Sequence, residues 1–270
     1  MTSTLTQGES TKNDRRSLTD PAALISNDGV PVGGRTASGH EQVDPEDGTR
    51  RIPLLARVRE DERISAFIDA ADEFLDAQGY TEHGQRHARL VGHIAYNVLT
   101  HLGHERRNAE LAAVSGYLHD VGNVVTRTNH GISSAFLALG LLRELDVPWR
   151  DVAHVMSAVG NHEEQHGESV SEIGAAVILA DKSDVHRSRV RKNASIDMDI
   201  HDRVNYAVET SFLRVDPKDR TITLELSIDT KISQVLEYFE ICLERMVMCR
   251  RAARTLHCEF KITVNDVPVL

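Results

Sequence analysis

Apolar residues recur at helical spacing through most of the chain. From residue 54 onward they return every three or four positions, which is the period of an α-helix with one buried face. The pattern predicts helices at about 54–78, 84–102, 105–121, 131–145, 150–160 and 171–190. Because the connections are short and few segments alternate like strands, the sequence predicts a mainly α-helical core.

The last quarter of the chain has a different pattern. Residues 208–215 and 221–228 partly alternate between apolar and polar, and a turn sequence from Asp216 to Arg220 separates them. This arrangement is typical of a β-hairpin. An amphipathic helix at about 232–256 and a strand at 260–264 follow. We therefore predict a small C-terminal α+β appendage, whose function we interpret as packing or formation of a homodimer.

The first 50 residues show no sustained apolar periodicity and are rich in Ser, Thr, Asp, Gly and Pro. Such a segment cannot bury enough apolar surface to offset the entropy lost on ordering, so it is predicted to be a disordered tail. The predicted organisation is a tail at 1–50, a helical domain at 51–200 and the appendage at 201–270. The predicted fold class is mainly α, a helical bundle with that appendage.

Composition and charge restrict the function classes. The formal net charge is −10, which argues against binding to nucleic-acid polymers, since these require clustered basic residues. The N-terminus has no signal-peptide core, and no segment approaches the roughly 20 apolar residues that span a bilayer. Three cysteines near the C-terminus fit buried thiols in a reducing compartment. We therefore expect a cytoplasmic protein without a membrane partner.

Several His and Asp residues occupy positions where apolar residues are expected. His119 and Asp120 close an apolar helix, and His87 and His162 prolong the apolar faces of theirs. Asp181 lies in an otherwise apolar helix, where an unpaired carboxylate would be costly unless a metal neutralised it. Imidazole and carboxylate together suit divalent metals, and a carboxylate can bridge two of them. The predicted metal ligands are His87, His119, Asp120, His130, His162 and Asp181.

The order and spacing of these residues resemble the HD superfamily of metal-dependent phosphohydrolases. The resemblance covers about residues 83–190 and implies that one metal ion is held by His87, His119, Asp120 and Asp181. It further implies that His130 and His162 hold a second ion, with Asp120 as the bridge. The implied cofactor is one or two divalent transition metals, Fe, Mn or Zn, with Mg as an alternative.

The sequence departs from the HD-GYP branch of this superfamily. The segment from Gly160 to Glu163 resembles that branch's His-His-Glu segment, but Asn161 replaces one His. The Gly-Tyr-Pro signature is absent, and Asn123 stands where the branch usually has Lys. The resemblance therefore does not extend to a third metal or to specificity for cyclic dinucleotides.

A basic segment follows Asp181 and is a candidate for phosphate recognition. Lys182 comes directly after the ligand, and on the predicted helix Asp184 and the following arginines would project near the Asp181 face. The alternative interpretation is an ordinary solvated basic helix end. We predict catalytic roles for Asp120, Lys182 and Asp184, and substrate binding by Arg187 and Arg191.

Three functions remain open at this point. The first is a phosphohydrolase that cleaves a small phosphate ester or nucleotide with a metal-activated water. The second is an oxygenase, because the ligand pattern also resembles the di-iron HD-type oxygenases; dependence on iron and dioxygen would identify it. The third is a metal-binding regulatory domain, which would bind ligands without turnover.

Overall fold

The computed structural model describes residues 52–165, 167–191 and 199–269. The tail predicted at 1–50 lies outside the described residues. Within them the fold is mainly helical with a small C-terminal sheet, which confirms the predicted fold class. None of the helices in this part of the chain is both long and apolar enough to cross a bilayer.

The helices follow one another with short connections. They are α1 (Pro53–Arg59), α2 (Glu62–Ala77), α3 (Gln85–His101), α4 (Arg106–Leu118), α5 (His130–Glu144), α6 (Trp149–Gly160), α7 (Glu172–Ser183), α8 (Ile200–Ala207) and α9 (Val235–Thr255). Two short 3-10 helices lie at Val121–Val124 and Arg187–Arg189. The strands are β1 (Val208–Asp216), β2 (Thr221–Ile228), β3 (Glu259–Val264) and β4 (Val267–Pro268).

Local sequence explains several helix ends. The Asp61 side chain accepts hydrogen bonds from the backbone N–H groups of Arg63 and Ile64, which caps α2 and separates it from α1. The single helix predicted at 54–78 is therefore two helices. Gly79 takes φ 81° after α2, a left-handed conformation that favours glycine and stops the helix.

The predicted helix at 171–190 is wrong at its C-terminal end. α7 stops at Ser183, and Asp184 leaves the helical region with φ −80° and ψ 75°. The Asp184 side chain is fully buried and paired with cations, so tertiary contacts end the helix here. Arg187 and Arg191 consequently do not lie on the helix face of Asp181.

Two glycines allow α3 and α4 to pack closely. A Cβ atom on Gly92 would lie 2.8 Å from the carbonyl oxygen of Ala113, and one on Gly116 would lie 3.0 Å from the Gly92 Cα. Neither position can carry a side chain unless the helices separate. This contact brings the start of α3, with His87, next to the end of α4, with His119.

The C-terminal unit is a four-stranded sheet in the order β1-β2-β3-β4. β1 and β2 form the predicted antiparallel hairpin, and β2 pairs in parallel with β3. α9 connects these parallel strands and packs against both β3 and α7 of the helical core. The thiols of Cys242, Cys249 and Cys258 are free and buried, as predicted. α8 and β4 were not predicted from the sequence.

Candidate metal centre

The six predicted ligands converge at one place in the helical core. His87 Nε2 lies 3.2 Å from His119 Nε2 and 3.3 Å from Asp181 Oδ1. His130 Nε2 lies 3.0 Å from His162 Nε2. The four imidazoles are buried, and the Asp181 side chain is only 11% exposed. The ligand atoms of His87, His119 and Asp181 are close enough to one another to share one metal ion.

Asp120 lies between the two imidazole pairs and presents one oxygen to each. Its Oδ2 is 3.3 Å from His119 Nε2 and 3.7 Å from His87 Nε2. Its Oδ1 is 3.0 Å from His130 Nε2 and 3.7 Å from His162 Nε2. This geometry suits a carboxylate that bridges two metal ions.

The other ring nitrogen of each histidine lies near an acceptor. The Nδ1 contacts are His87 to Asp184 Oδ2 at 2.7 Å, His119 to Gly116 O at 2.7 Å, His130 to Arg127 O at 3.0 Å and His162 to Val159 O at 2.6 Å. A carbonyl or carboxylate oxygen can only accept, so we assign the proton to Nδ1 in each ring. In a neutral imidazole, Nε2 then carries a lone pair directed at the centre.

These lone pairs face one another and the carboxylates, an arrangement that is repulsive unless a cation lies between them. Burial alone would lower the pKa of His119, but Asp120 and Asp181 raise it to about 10. The same negative field that favours a proton at this position also favours a metal ion, which releases the proton when it binds. The donor set therefore fits one or two divalent metal ions.

Asp184 lies behind His87 and does not line the cavity. It is fully buried and accepts hydrogen bonds from His87 Nδ1 and, at 2.9 Å, from Arg86 Nη2, while Arg189 Nη1 donates to its carbonyl oxygen. Burial would raise the pKa of this carboxyl group, but Arg189, His87 and Arg86 hold it well below its usual value. A carboxylate in this position can orient a metal-binding imidazole. The location of Asp184 therefore favours a role in orienting His87 over the predicted catalytic role.

A cavity opens onto the centre, and its lining is rich in cationic side chains. The lining residues are His83, Asp120, Arg127, His130, His162, Glu164, Asp181, Lys182, Arg189 and Arg245. Lys182 is thus at the cavity, as its predicted role requires. Arg189, one of the arginines of the basic segment that follows Asp181, also lines the cavity. The sequence pattern did not indicate Arg127 or Arg245; Arg245 comes from α9, and no local signal relates it to the metal ligands.

Arg187 and Arg191 lie away from the cavity lining. Arg187 pairs with Glu209 at 3.1 Å. Arg191 pairs with Asp72 at 2.7 Å and with Asp76 at 3.0 Å, joining the segment after α7 to α2. Their predicted substrate-binding role stays untested, and their positions give it no support.

Lys182 is buried but has two carboxylate partners. Its Nζ lies 2.6 Å from Asp181 Oδ2 and 2.9 Å from Glu164 Oε1. Although burial lowers its pKa, Asp181 and Glu164 raise it above the usual value. Burial would raise the pKa of Glu164, but Lys182 and Arg245 lower it to about 2. Both groups are therefore charged at neutral pH.

Comparison with known proteins gives one family. Residues 84–204 match the family model of the HD domain, which confirms the resemblance seen in the sequence. An uncharacterized protein of Methanocaldococcus jannaschii is 26% identical over 182 residues, covering 59% of this chain and 70% of that protein. No solved structure matches the chain.

Proposed function

We propose that this chain, which carries an HD domain at residues 84–204, is a metal-dependent phosphohydrolase that cleaves a small phosphate ester or nucleotide. The HD-domain match supports a metal-dependent function of hydrolase type. The observation that carries the proposal is the position of Asp120, with one oxygen toward each imidazole pair, beside a cation-lined cavity.

The predicted ligands can be divided between two ions according to the Asp120 oxygen that each imidazole approaches. His87, His119 and Asp181 with Asp120 Oδ2 would hold one, and His130 and His162 with Asp120 Oδ1 would hold the other. When bound, two such ions supply an activated water near neutral pH and offset charge on phosphoryl oxygens. Imidazole ligands favour Fe or Zn, carboxylate oxygens also suit Mn, and Mg prefers a shell made of oxygen ligands.

The cavity residues supply what phosphate binding needs. The Lys182 ammonium can donate hydrogen bonds to a phosphoryl oxygen from a position next to Asp181. Arg127 lines the same cavity, with its guanidinium 5.2 Å from the centre of the Tyr80 ring and bonded to Asn123 Oδ1. Local cations of this kind allow an acidic chain to bind a small anion, whereas its net charge of −10 argues against binding of a nucleic-acid polymer.

The predicted ligands suit both a hydrolase and an oxygenase. The cationic cavity lining favours the hydrolase, since it suits a phosphorylated substrate. A regulatory domain that binds a ligand without turnover would use the same cavity, so the activity assay below separates it from the hydrolase. A cytoplasmic location and a homodimer remain predictions.

Metal analysis is the first test of the proposal. The protein should be purified without chelator and its bound metals counted by elemental analysis. We expect up to two first-row metal ions per wild-type chain, selective loss of one in His130→Ala, and loss of the other or of both in Asp181→Ala. His201→Ala is the matched control, since His201 also precedes an Asp but is exposed on α8.

Activity assays then separate the three functions. Phosphate esters should release inorganic phosphate with equal rates in air and under anoxic conditions. Turnover that requires iron and dioxygen would instead identify an oxygenase, and binding without turnover a regulatory domain. A wild-type protein that bound no metal after reconstitution with Mn, Fe and Zn would contradict the proposal.

A further inference from the structure

The Glu164 carboxylate lies between two cations at the cavity. Its Oε1 is 2.9 Å from Lys182 Nζ and 3.2 Å from Arg245 Nε. The side chains of Lys182, Glu164 and Arg245 are 7%, 23% and 32% exposed, so the group extends from the buried metal ligands toward the cavity rim. Lys182 also contacts Asp181, which connects this group to the metal centre.

The two cations come from different parts of the fold. Lys182 is in the last turn of α7, next to a predicted metal ligand. Arg245 is in α9, the helix between β2 and β3 of the C-terminal unit, and α9 packs against α7. The C-terminal unit therefore contributes a cationic side chain to the cavity, in addition to its role in packing.

The carboxylate and the cations differ in how they are held. Both cations project from helices, whereas Glu164 belongs to the connection between α6 and α7. A carboxylate oxygen shared by an ammonium and a guanidinium occupies the position that an oxygen of a bound phosphate or carboxylate would take. An oxyanion of a ligand could thus replace Glu164 without movement of the helices.

We propose that Lys182 and Arg245 form a second anion subsite, which takes a second phosphate or carboxylate group of the substrate and displaces Glu164. The inference rests on the proposed hydrolase function and narrows its substrate class to phosphate esters with two anionic groups. The ester phosphate lies at the metal ligands, and the second group lies toward the rim. Arg245 is then a specificity-determining residue supplied by the C-terminal unit.

The test uses three phosphonates that resist hydrolysis. Methylphosphonate has one anionic group, methylenediphosphonate has two, and phosphonoacetate has one phosphonate and one carboxylate. Calorimetric titration of the metal-loaded protein should show that Arg245→Gln weakens binding of a two-anion probe about tenfold, since a charge-assisted pair is lost. Methylphosphonate should change by less than about twofold. The two-anion probe with the larger loss identifies the second group as phosphate or carboxylate.

Two further variants separate the subsite from a structural role. Arg250→Gln, at an exposed position of the same helix, should bind all three probes like the wild type. Glu164→Gln removes the competing charge and should tighten binding of the two-anion probes about threefold or more. If Glu164 only held Arg245 in place, this variant would weaken binding instead, and the inference would be overturned.

The outcomes also separate this inference from the proposed function. Equal losses for all three probes in Arg245→Gln, with metal content unchanged, would refute the second subsite and leave the hydrolase intact. A metal-loaded protein that bound none of the probes would refute both.

Discussion

The two halves of the metal centre are built differently. The α3–α4–α7 half consists of His87, His119 and Asp181, all at or within closely packed helices. The α5–α6 half consists of His130, the first residue of α5, and His162, which follows the end of α6. The first half is thus held by helix packing, and the second depends on helix ends and a connecting segment.

The charges differ in the same direction. The α3–α4–α7 half offers two carboxylate oxygens, from Asp181 and Asp120, whereas the α5–α6 half has only the second oxygen of Asp120. Behind His87 lies the fully buried Asp184, while behind His130 Glu163 approaches Nδ1 only to 3.3 Å. Because a divalent cation gains most from nearby anionic ligands, we expect the first half to bind its metal more tightly. The second half is the better candidate for a metal that exchanges or meets the substrate.

The largest effect should come from the residue that the halves share. Asp120→Ala removes an oxygen from each half and leaves buried imidazoles facing one another, so both metals should be lost and phosphate release should fall to background. Elemental analysis measures the metal content, and a phosphate-release assay measures the activity. Asp202→Ala, in the second His-Asp pair of the sequence, serves as control. If Asp120→Ala kept one tightly bound metal, Asp120 would not bridge.

Most of the predicted ligands could be recognised in the sequence because they interrupt or end an apolar helix face, whereas His130 lies at a helix start. His87, Asp181 and the His119-Asp120 pair lie where a buried stripe demands an apolar residue, and their order matches one family. A buried polar residue without a local partner needs a tertiary one, so the sequence predicts convergence even though it does not give distances.

The remaining features depend on contacts between distant segments. The helical pattern continues past Ser183 in the sequence, but Asp184 turns inward to meet His87 and Arg86, about 100 residues earlier in the chain, and α7 ends. Arg245 reaches the cavity only because α9 packs on α7. Neither contact leaves a periodic signal, and for this reason Arg187 was predicted at the site and Arg245 was not.

Substitutions of Asp184, behind His87, and of Glu163, behind His130, should have effects of intermediate size on metal affinity, and these effects should differ. Asp184→Asn replaces the anionic partner of His87 and should weaken the first metal about 10–100-fold, the usual range for such partners. It should also cost about 3–5 kcal/mol of stability, because Arg86 and Arg189 lose a buried anion. Glu163→Gln should weaken only the second metal, by less than about tenfold.

Metal competition titrations and thermal unfolding of the metal-free variants measure both quantities. Equal losses of affinity in Asp184→Asn and Glu163→Gln would remove the proposed difference between the halves.

The smallest effect should arise from the backbone before His130. Asn129 has φ 57° and ψ 33°, a left-handed conformation, directly before the first residue of α5. Asn129→Ala should destabilise the protein by about 1 kcal/mol, because alanine is disfavoured in the left-handed conformation and lacks the polar side chain that lets Asn adopt it. Asn129→Gly should be tolerated, since glycine adopts this conformation readily. The strain would act on His130, so Asn129→Ala should weaken the second metal and leave the first unchanged. Thermal unfolding measures the stability, and metal titration measures the affinity of each half. A loss of affinity confined to the first metal would show that the helix-end geometry of the α5–α6 half does not control how tightly that half binds metal.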